Sequence, residues 1–455
     1  MTDEGKSVLA HDDQLTEDIN NKAYGTDGNT AQDQRALSDA QMNSTNTLYD
    51  ALGPVLGKYY KDAADAGKLP KTAQFLSDMN KSASTGVAKA TYQHPRPYVD
   101  RVNFNGTTLN MNGLKQTLNI KKVPGYENFD WGDGEAPDNE YDGLYNSGSF
   151  PSGHTTFAFT QGAGLAYLLP ELGPEIMTRV SEAGNNRIVL GVHYPLDIMG
   201  GHIAGQYGVA TAVSGEKTAQ EGAAARAELV DYLTAQCKAD NHGDTLDACI
   251  TNTGANAANG YRNDFTDEVS TKPVTDRASA LAAYKARMTY GFQATGTTGQ
   301  APVVPDSAVR MFDNVAAFKS LDSAQKKAVL AATEGDSGYP LDASSQGWAR
   351  VNLAAAYSAK VTLSADGKNV VKVEPGQAQA SVVRETSGSN GNNGGNGNGG
   401  SNAGNTGVNN ASGRNPSGTQ PLSKTGADVS GIASAFILIA AAGVTITMIR
   451  RKHAI

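Results

Sequence analysis

The chain has 455 residues, with 38 Lys and Arg against 46 Asp and Glu and a formal net charge of -8. A protein that binds nucleic acid needs a concentrated basic surface to contact the phosphates. This acidic balance argues against a nucleic acid partner. The 51 glycines exceed ordinary usage, but a large group of them lies in one segment near the C-terminus.

The first part of the chain is polar. Residues 1–40 are rich in Asp, Asn, Gln and Thr, and we expect them to form a flexible N-terminal region. The first 25 residues contain no apolar stretch of the kind found in export signals, so a signal peptide is not visible in this chain.

Residues 41–375 are predicted to form one all-α catalytic region, a helical bundle. Strands are predicted only at 359–374, where Asp366-Gly367 separates two alternating segments and indicates a small β-hairpin near residues 360–374. Apolar residues recur at helical spacing in the following segments: 47–67, 71–92, 154–169, 173–192, 195–215, 218–237, 276–292 and 321–335.

Two cysteines lie late in this region. Cys237 and Cys249 bracket a short polar segment and are a candidate disulfide. Such a bond would be typical of an exported protein, and closing so short a loop stabilises a fold by about 3 kcal/mol at most. The alternative is two free thiols.

The C-terminal part has three successive compositions. Residues 386–420 are rich in Gly, Asn and Ser and predict a flexible linker. Val429 to Ile449 has no charged residue and is long enough for a transmembrane helix, which needs about 20 residues. Arg450, Arg451 and Lys452 follow and place the C-terminus on the cytoplasmic side.

Leu422-Ser423-Lys424-Thr425-Gly426 precedes this apolar span. Together with the span and the basic tail, the pentapeptide resembles the cell-wall sorting signal of Gram-positive surface proteins. The resemblance assigns residues 421–455 to that signal and implies cleavage by sortase after Thr425. The usual pattern has Pro where this chain has Ser423. The expected location is the extracellular face of a Gram-positive cell, anchored to wall or membrane.

A serine, a glycine and a histidine stand together where a loop meets a predicted helix. Ser152, Gly153 and His154 precede the apolar run 155–169. Unpaired N–H groups and the positive end of the helix dipole make such a position a receptor for phosphate or carboxylate. A simple capped helix is the alternative.

Two further motifs carry cations and a possible catalytic pair. Lys89 and Arg96 lie seven residues apart, with Pro97 directly after the arginine. Arg187, His193 and Asp197 fall in one short span. Each motif alone would fit an ordinary solvated surface. Together with Ser152–His154 they provide three cations, two histidines and one carboxylate.

These three motifs, in this order, resemble the signature of the phosphatidic acid phosphatase type 2 superfamily. The flanking sequence is similar to exported actinobacterial phosphatases, close to the class A acid phosphatases, and the resemblance extends over about residues 45–360. The chain departs from the family pattern at one position, where it has Asn186 instead of the usual Ser.

The resemblance implies a role for each motif residue. His193 would attack phosphorus and become phosphohistidine, Asp197 would orient it, and His154 would protonate the leaving alcohol and later activate water. The phosphate would be bound by Lys89, Arg96, Ser152, Gly153 and Arg187. No metal or other cofactor is expected, and vanadate should inhibit.

The resulting hypothesis is a metal-independent acid phosphatase acting on small phosphomonoesters. A lipid phosphatase and a vanadium-dependent haloperoxidase of the same superfamily are the alternatives. Lipid phosphatases carry several membrane spans around these motifs, and this chain has no such spans there. An adhesin built on an inactive phosphatase fold is a further alternative.

Overall fold

A computed structural model describes residues 2–104, 107–108, 111, 113–129, 139–267, 269–342 and 345–386. Most of these residues are helical, which confirms the predicted class. The α-helices are α1 Asp3–Tyr24, α2 Ala31–Ala40, α3 Ser44–Leu48, α4 Gly53–Asp65, α5 Pro70–Asn80, α6 Gly86–Tyr92, α7 Glu140–Gly143, α8 Gly153–Leu168, α9 Gly173–Val189, α10 Pro195–Ala212, α11 Glu216–Ala239, α12 Leu246–Thr253, α13 Arg277–Thr289, α14 Ser323–Thr333 and α15 Leu353–Tyr357.

Short 3-10 helices and two small sheets complete the described part. The 3-10 segments are Tyr49–Leu52, Tyr126–Asn128, Pro170–Leu172, Asp306–Phe312 and Ala316–Ser320. The strands are β1 Asn103–Phe104, β2 Thr107–Thr108, β3 Lys360–Leu363, β4 Val370–Glu374 and β5 Ser381–Arg384.

The predicted hairpin is confirmed, because β3 and β4 pair antiparallel with Lys360 opposite Glu374. The sequence did not predict β5, which pairs parallel to β3 on its other side. The ordered body therefore extends past the predicted boundary at residue 375.

Helices α8, α9 and α10 form the centre of the molecule. Every residue of α9 is buried, so this helix is surrounded on all sides. Two glycines allow the close approach of its neighbours. A Cβ on Gly162 of α8 would lie 2.1 Å from a Val180 methyl of α9, and one on Gly205 of α10 would lie 2.4 Å from Phe159 Cβ of α8. This close packing brings the N-terminal ends of α8 and α10 together, and Ser152 N–H donates to the Asp197 carbonyl at 3.0 Å.

The expected flexible region at residues 1–40 is not what the structure shows. Helices α1 and α2 bury Leu15, Ile19 and Ala36 against the apolar loop that follows α9. Several of their polar side chains form hydrogen bonds or ion pairs with residues far away in the sequence. Asn20 Nδ2 donates to the carbonyl of Val189 at 2.7 Å, and Asp39 makes a bidentate ion pair with Arg179 of α9. A polar composition indicated flexibility only because these distant partners could not be seen in the local sequence.

One predicted helix is divided. The segment 71–92 forms α5 and α6, separated by Lys81 to Thr85. The break lets α6 lie next to the start of α8, where Thr85 Oγ1 would be 3.7 Å from a Cβ on Gly153.

The C-terminal predictions lie outside the described residues. This applies to the linker 386–420 beyond Thr386, to the sorting signal 421–455 and to the apolar span 429–449. Within the described ranges, no helix combines the length and the apolar character that a membrane span requires.

Candidate active site

The three motifs meet where α6, α8 and α10 begin or end. Lys89 lies on α6, Arg187 lies in the last turn of α9, and His193 occupies the loop between α9 and α10. Ser152 is the N-cap of α8, and Asp197 lies in the first turn of α10. All eight residues predicted for catalysis and phosphate binding thus lie on elements that converge at one place.

His193 is held between a carboxylate and an arginine. Its Nδ1 lies 3.0 Å from Asp197 Oδ2, and its Nε2 lies 3.0 Å from Arg96 Nη1. A guanidinium can only donate, so Nε2 is the acceptor and the ring proton is on Nδ1, facing Asp197. This tautomer leaves the Nε2 lone pair on the side of the cations, which is the arrangement a nucleophile needs.

Asp197 has further partners that fix its position. Oδ2 also accepts the Tyr194 N–H at 3.0 Å, and Oδ1 accepts the Ser149 hydroxyl at 3.3 Å. His94 Nδ1 lies 2.9 Å from the same Ser149 hydroxyl. Burial raises the pKa of Asp197 to about 6, although the Tyr194 N–H and the nearby Lys89 and Arg96 charges lower it. Sequence reasoning missed Ser149, because a serine before a proline loop has no distinctive pattern.

Arg187 is buried, and part of its guanidinium lacks a protein partner. Nη2 donates to the Tyr126 hydroxyl at 2.7 Å, and the guanidinium lies over that ring at 5.5 Å. In the part of the chain that the structure describes, Nε and Nη1 have no hydrogen-bond partner. Buried donors are normally satisfied, so two unsatisfied N–H groups on one arginine indicate a site for an anion.

Lys89 and Arg96 bind the loop that precedes α8. Lys89 Nζ donates to the carbonyls of Gly148 and Ser149, and Arg96 Nε donates to that of Ser147 at 3.0 Å. Burial, and then the charge of Arg96, lower the pKa of Lys89 to about 7. The site therefore contains cations that would be relieved of mutual repulsion by a bound anion.

The start of α8 is both capped and suited to an anion. The Ser152 hydroxyl oxygen accepts from Thr155 N–H at 3.2 Å and from Thr155 Oγ1 at 2.9 Å. Both bonds use the oxygen as acceptor, so the Ser152 O–H remains a donor. The two interpretations of this stretch, a cap and an anion receptor, are therefore compatible.

His154 contacts the N-terminal helices. Its Nε2 lies 3.1 Å from the carbonyl of Ala40, the last residue of α2, and a carbonyl can only accept, so Nε2 carries a proton. Burial lowers the pKa of both His154 and His193 well below the usual value, and the charges of Lys89, Arg96 and Arg187 lower both further. These shifts favour the neutral form of both rings.

Asn186, the position that departs from the family pattern, contacts the N-terminal helices. Its Nδ2 donates to Asp39 Oδ2 at 2.7 Å, so it joins α9 to α2. Tyr126 was also not predicted, since it lies in an acidic, aromatic segment without a motif.

The candidate disulfide is present between Cys237 and Cys249. Across the ranges described above, no group of three His, Cys, Asp or Glu residues is arranged to hold a metal ion.

Two acid phosphatases and one family model are similar to parts of this chain. The chain is 33% identical over 205 residues to an acid phosphatase of Zymomonas mobilis subsp. mobilis, an alignment that takes in 44% of this chain and 61% of the relative. It is 27% identical over 189 residues to a non-specific acid phosphatase of Providencia stuartii, covering 40% of this chain and 61% of the relative. The chain thus spans about three fifths of the length of these curated relatives. Residues 73–219, which include all three motifs, match the family model of the PAP2 superfamily.

Proposed function

We propose that this chain is a metal-independent phosphatase that hydrolyses phosphomonoesters through a phosphohistidine on His193. One observation carries the proposal. Among the described residues, the buried Arg187 has two N–H groups without a protein acceptor, and its charge acts on a histidine whose Nε2 is an acceptor. Anion recognition and a positioned nucleophile therefore occur in one site. The relatives named acid phosphatases support the same reaction class.

In the first step, His193 Nε2 attacks phosphorus and the bond from phosphorus to the leaving oxygen breaks. Arg96 Nη1 donates to this nitrogen in the structure, so it must first transfer that hydrogen bond to a phosphate oxygen. His154 gives a proton to the leaving oxygen, and the alcohol departs neutral. Asp197 stabilises the positive charge on the phosphorylated imidazole through Nδ1–H.

In the second step, a water molecule gives a proton to His154 while its oxygen attacks phosphorus. The nitrogen–phosphorus bond breaks, its electron pair returns to His193 Nε2, and inorganic phosphate leaves. Because His154 Nε2 donates to Ala40, we assign both proton transfers to Nδ1 of this ring.

The electrostatics fit this cycle. Burial, and after it the charges of the cations, lower the pKa of both histidines, which favours the unprotonated Nε2 that the nucleophile needs. A phosphate dianion offsets the charges of Lys89, Arg96 and Arg187, so the pKa of His154 rises when substrate binds and the ring can act as an acid. The same cations stabilise the charge on the oxygens in the transition state.

The test has two parts. The purified chain should hydrolyse nitrophenyl phosphate in excess EDTA, and vanadate should inhibit it. Brief reaction with radiolabelled substrate, followed by quenching, should leave acid-labile phosphate on the wild type. His193→Ala should carry no label, whereas His242→Ala, at a histidine of the turn between α11 and α12, should label normally. Equal labelling of His193→Ala would show that the nucleophile is another residue. Activity that disappears in EDTA and returns with Mg²⁺ or Zn²⁺ would contradict the metal-free mechanism.

We also propose a location on the outer face of a Gram-positive cell. The Cys237–Cys249 disulfide supports it, because structural disulfides persist in oxidising compartments. The linker, apolar span and basic tail at residues 386–452 support it as well. Recovery of the protein only from cytosolic fractions would contradict this location.

A further inference from the structure

A carboxyl group from the N-terminal helix α1 reaches the start of α10. Asp12 is 1% exposed, and its Oδ1 accepts the Leu196 N–H at 3.1 Å. Leu196 is the second residue of α10, so its N–H is one of the donors that a helix cannot satisfy internally. The acceptor is therefore supplied by a residue far away in the sequence.

The helix turn that Asp12 caps also carries Asp197. Asp197 Oδ2 accepts from His193 Nδ1 and from Tyr194 N–H, and both atoms lie at the same helix start. A shift of this first turn would move the carboxylate relative to the imidazole. Asp12 contacts neither the histidine nor the phosphate-binding cations, so any effect it has on the reaction passes through α10.

The charges around Asp12 favour its protonated form. Burial is the largest cause that raises its pKa well above the usual value, and the nearby Asp197 charge raises it further. Asp13 also raises this pKa, whereas the Leu196 N–H and Arg101 lower it. Arg101 is itself paired with Asp13 at 2.8 Å. When Asp12 is protonated, Asp197 can stay ionised beside His193 without a second negative charge next to it.

We propose that Asp12 is a positioning residue of the reaction, which fixes the first turn of α10 and thereby the Asp197 carboxylate that orients His193. This inference rests on the proposed function. The residue acts as a hydrogen-bond acceptor, not as a charge, so the amide of asparagine should replace it.

The experiment compares Asp12→Ala and Asp12→Asn in the full chain. Asp12→Ala should lower kcat for nitrophenyl phosphate about 10-fold or more, with KM little changed, because misplaced catalytic groups slow chemistry more than binding. Asp12→Asn should stay close to the wild type. Glu17→Ala is the matched control on the same helix, because Glu17 Oε1 accepts the N–H of Asn119, which does not belong to α10. It should lower the unfolding midpoint and leave kcat unchanged.

A second variant removes the donor of the same hydrogen bond. Leu196→Pro removes the N–H at the second position of α10 and should lower kcat as Asp12→Ala does. The double variant should be no slower than either single one. Wild-type kcat in Asp12→Ala or in Leu196→Pro, or an Asp12→Asn variant as slow as Asp12→Ala, would overturn the proposal.

A readout that needs no turnover separates this inference from the proposed function. The Nδ1 proton of His193, bound to Asp197, should give a low-field NMR signal in the wild type and in Asp12→Asn. The signal should be shifted or lost in Asp12→Ala and kept in Glu17→Ala. An unchanged signal in Asp12→Ala would overturn the positioning role, whether or not the chain proves to be a phosphatase.

Discussion

Helices α8 and α10 both begin at the candidate active site, yet their first turns are used differently. At α10, carboxyl groups of the protein itself accept the backbone N–H groups: Asp12 accepts from Leu196 and Asp197 accepts from Tyr194. At α8, the cap is only the Ser152 hydroxyl on Thr155 N–H, beside Gly153. In the proposed function, the same backbone feature supports the nucleophile at α10 and receives an external anion at α8.

The comparison predicts that defects at the α10 side should not depend on the substrate. Asp197→Ala should lower kcat about 10³–10⁴-fold, since His193 loses the partner that sets its tautomer. The loss should be the same for nitrophenyl phosphate and for an alkyl phosphate, because the nucleophile serves both. Steady-state kinetics with both esters measure it, and Asp247→Ala, an exposed aspartate of α12, should be unaffected. A loss confined to one ester would contradict the assignment.

Defects at the α8 side should depend on the leaving group. His154→Ala should lower kcat on an alkyl phosphate about 10²–10⁴-fold, because an alkoxide needs a proton in order to leave. Nitrophenyl phosphate should be affected much less, since nitrophenolate is already a stable anion. The ratio of kcat/KM for the two esters is the measurement. An equal loss on both would show that His154 does not protonate the leaving group.

The affinity of the candidate site for an anion should also depend on pH. Burial and Arg96 lower the pKa of Lys89 to about 7, so the ammonium is present below this pH and is lost above it. Asp197, with a pKa of about 6, gains its negative charge over the same range. Binding of sulfate, whose charge is constant here, should therefore weaken up to about 30-fold between pH 5.5 and 8.5 through the loss of the Lys89 proton, and the charge gained by Asp197 acts in the same direction.

Competitive inhibition by sulfate measures this change. Lys89→Met should bind sulfate weakly at all pH values and lose most of the pH dependence. A wild-type inhibition constant that does not vary with pH would refute the role given to Lys89.

The smallest effect on catalysis is expected far from both helix starts. Replacing Cys237 and Cys249 together by Ser should reduce the free energy of unfolding by about 3 kcal/mol, because the bond closes a short loop. The value of kcat should not change. Chemical denaturation and kinetics on the same sample test this. A large loss of kcat at temperatures where the variant is folded would mean that α11 and α12 affect the site.

The motifs were predictable because each is compact in sequence. Ser152, Gly153 and His154 are adjacent, and a loop residue followed by an apolar run marked the start of α8. Arg187, His193 and Asp197 lie within one loop and its flanking turns, so local spacing was enough to group them. The long helices α9, α10 and α11 were predictable for the same reason, since helical periodicity is a local property.

The parts that escaped prediction depend on distant partners. Asn20 is buried and donates hydrogen bonds to the carbonyls of Val189 and Lys121. Asp39 is buried and forms an ion pair with Arg179. The local sequence of residues 1–40 shows polar side chains but not these acceptors and donors. Tyr126 and Ser149 acquire their roles only when the chain folds against Arg187 and Asp197.

The end of α2 makes two contacts through neighbouring residues. The Asp39 side chain binds Arg179 and Asn186 on α9, and the Ala40 carbonyl accepts from His154 on α8. Because the second contact uses the backbone, residue 40 can change its identity without losing that hydrogen bond. The insertion of one residue between them would rotate the carbonyl by about 100° around the helix axis. A one-residue insertion or deletion between Asp39 and Ala40 should therefore break the pairing of these two contacts, whereas a substitution small enough for the buried position of Ala40 should keep both.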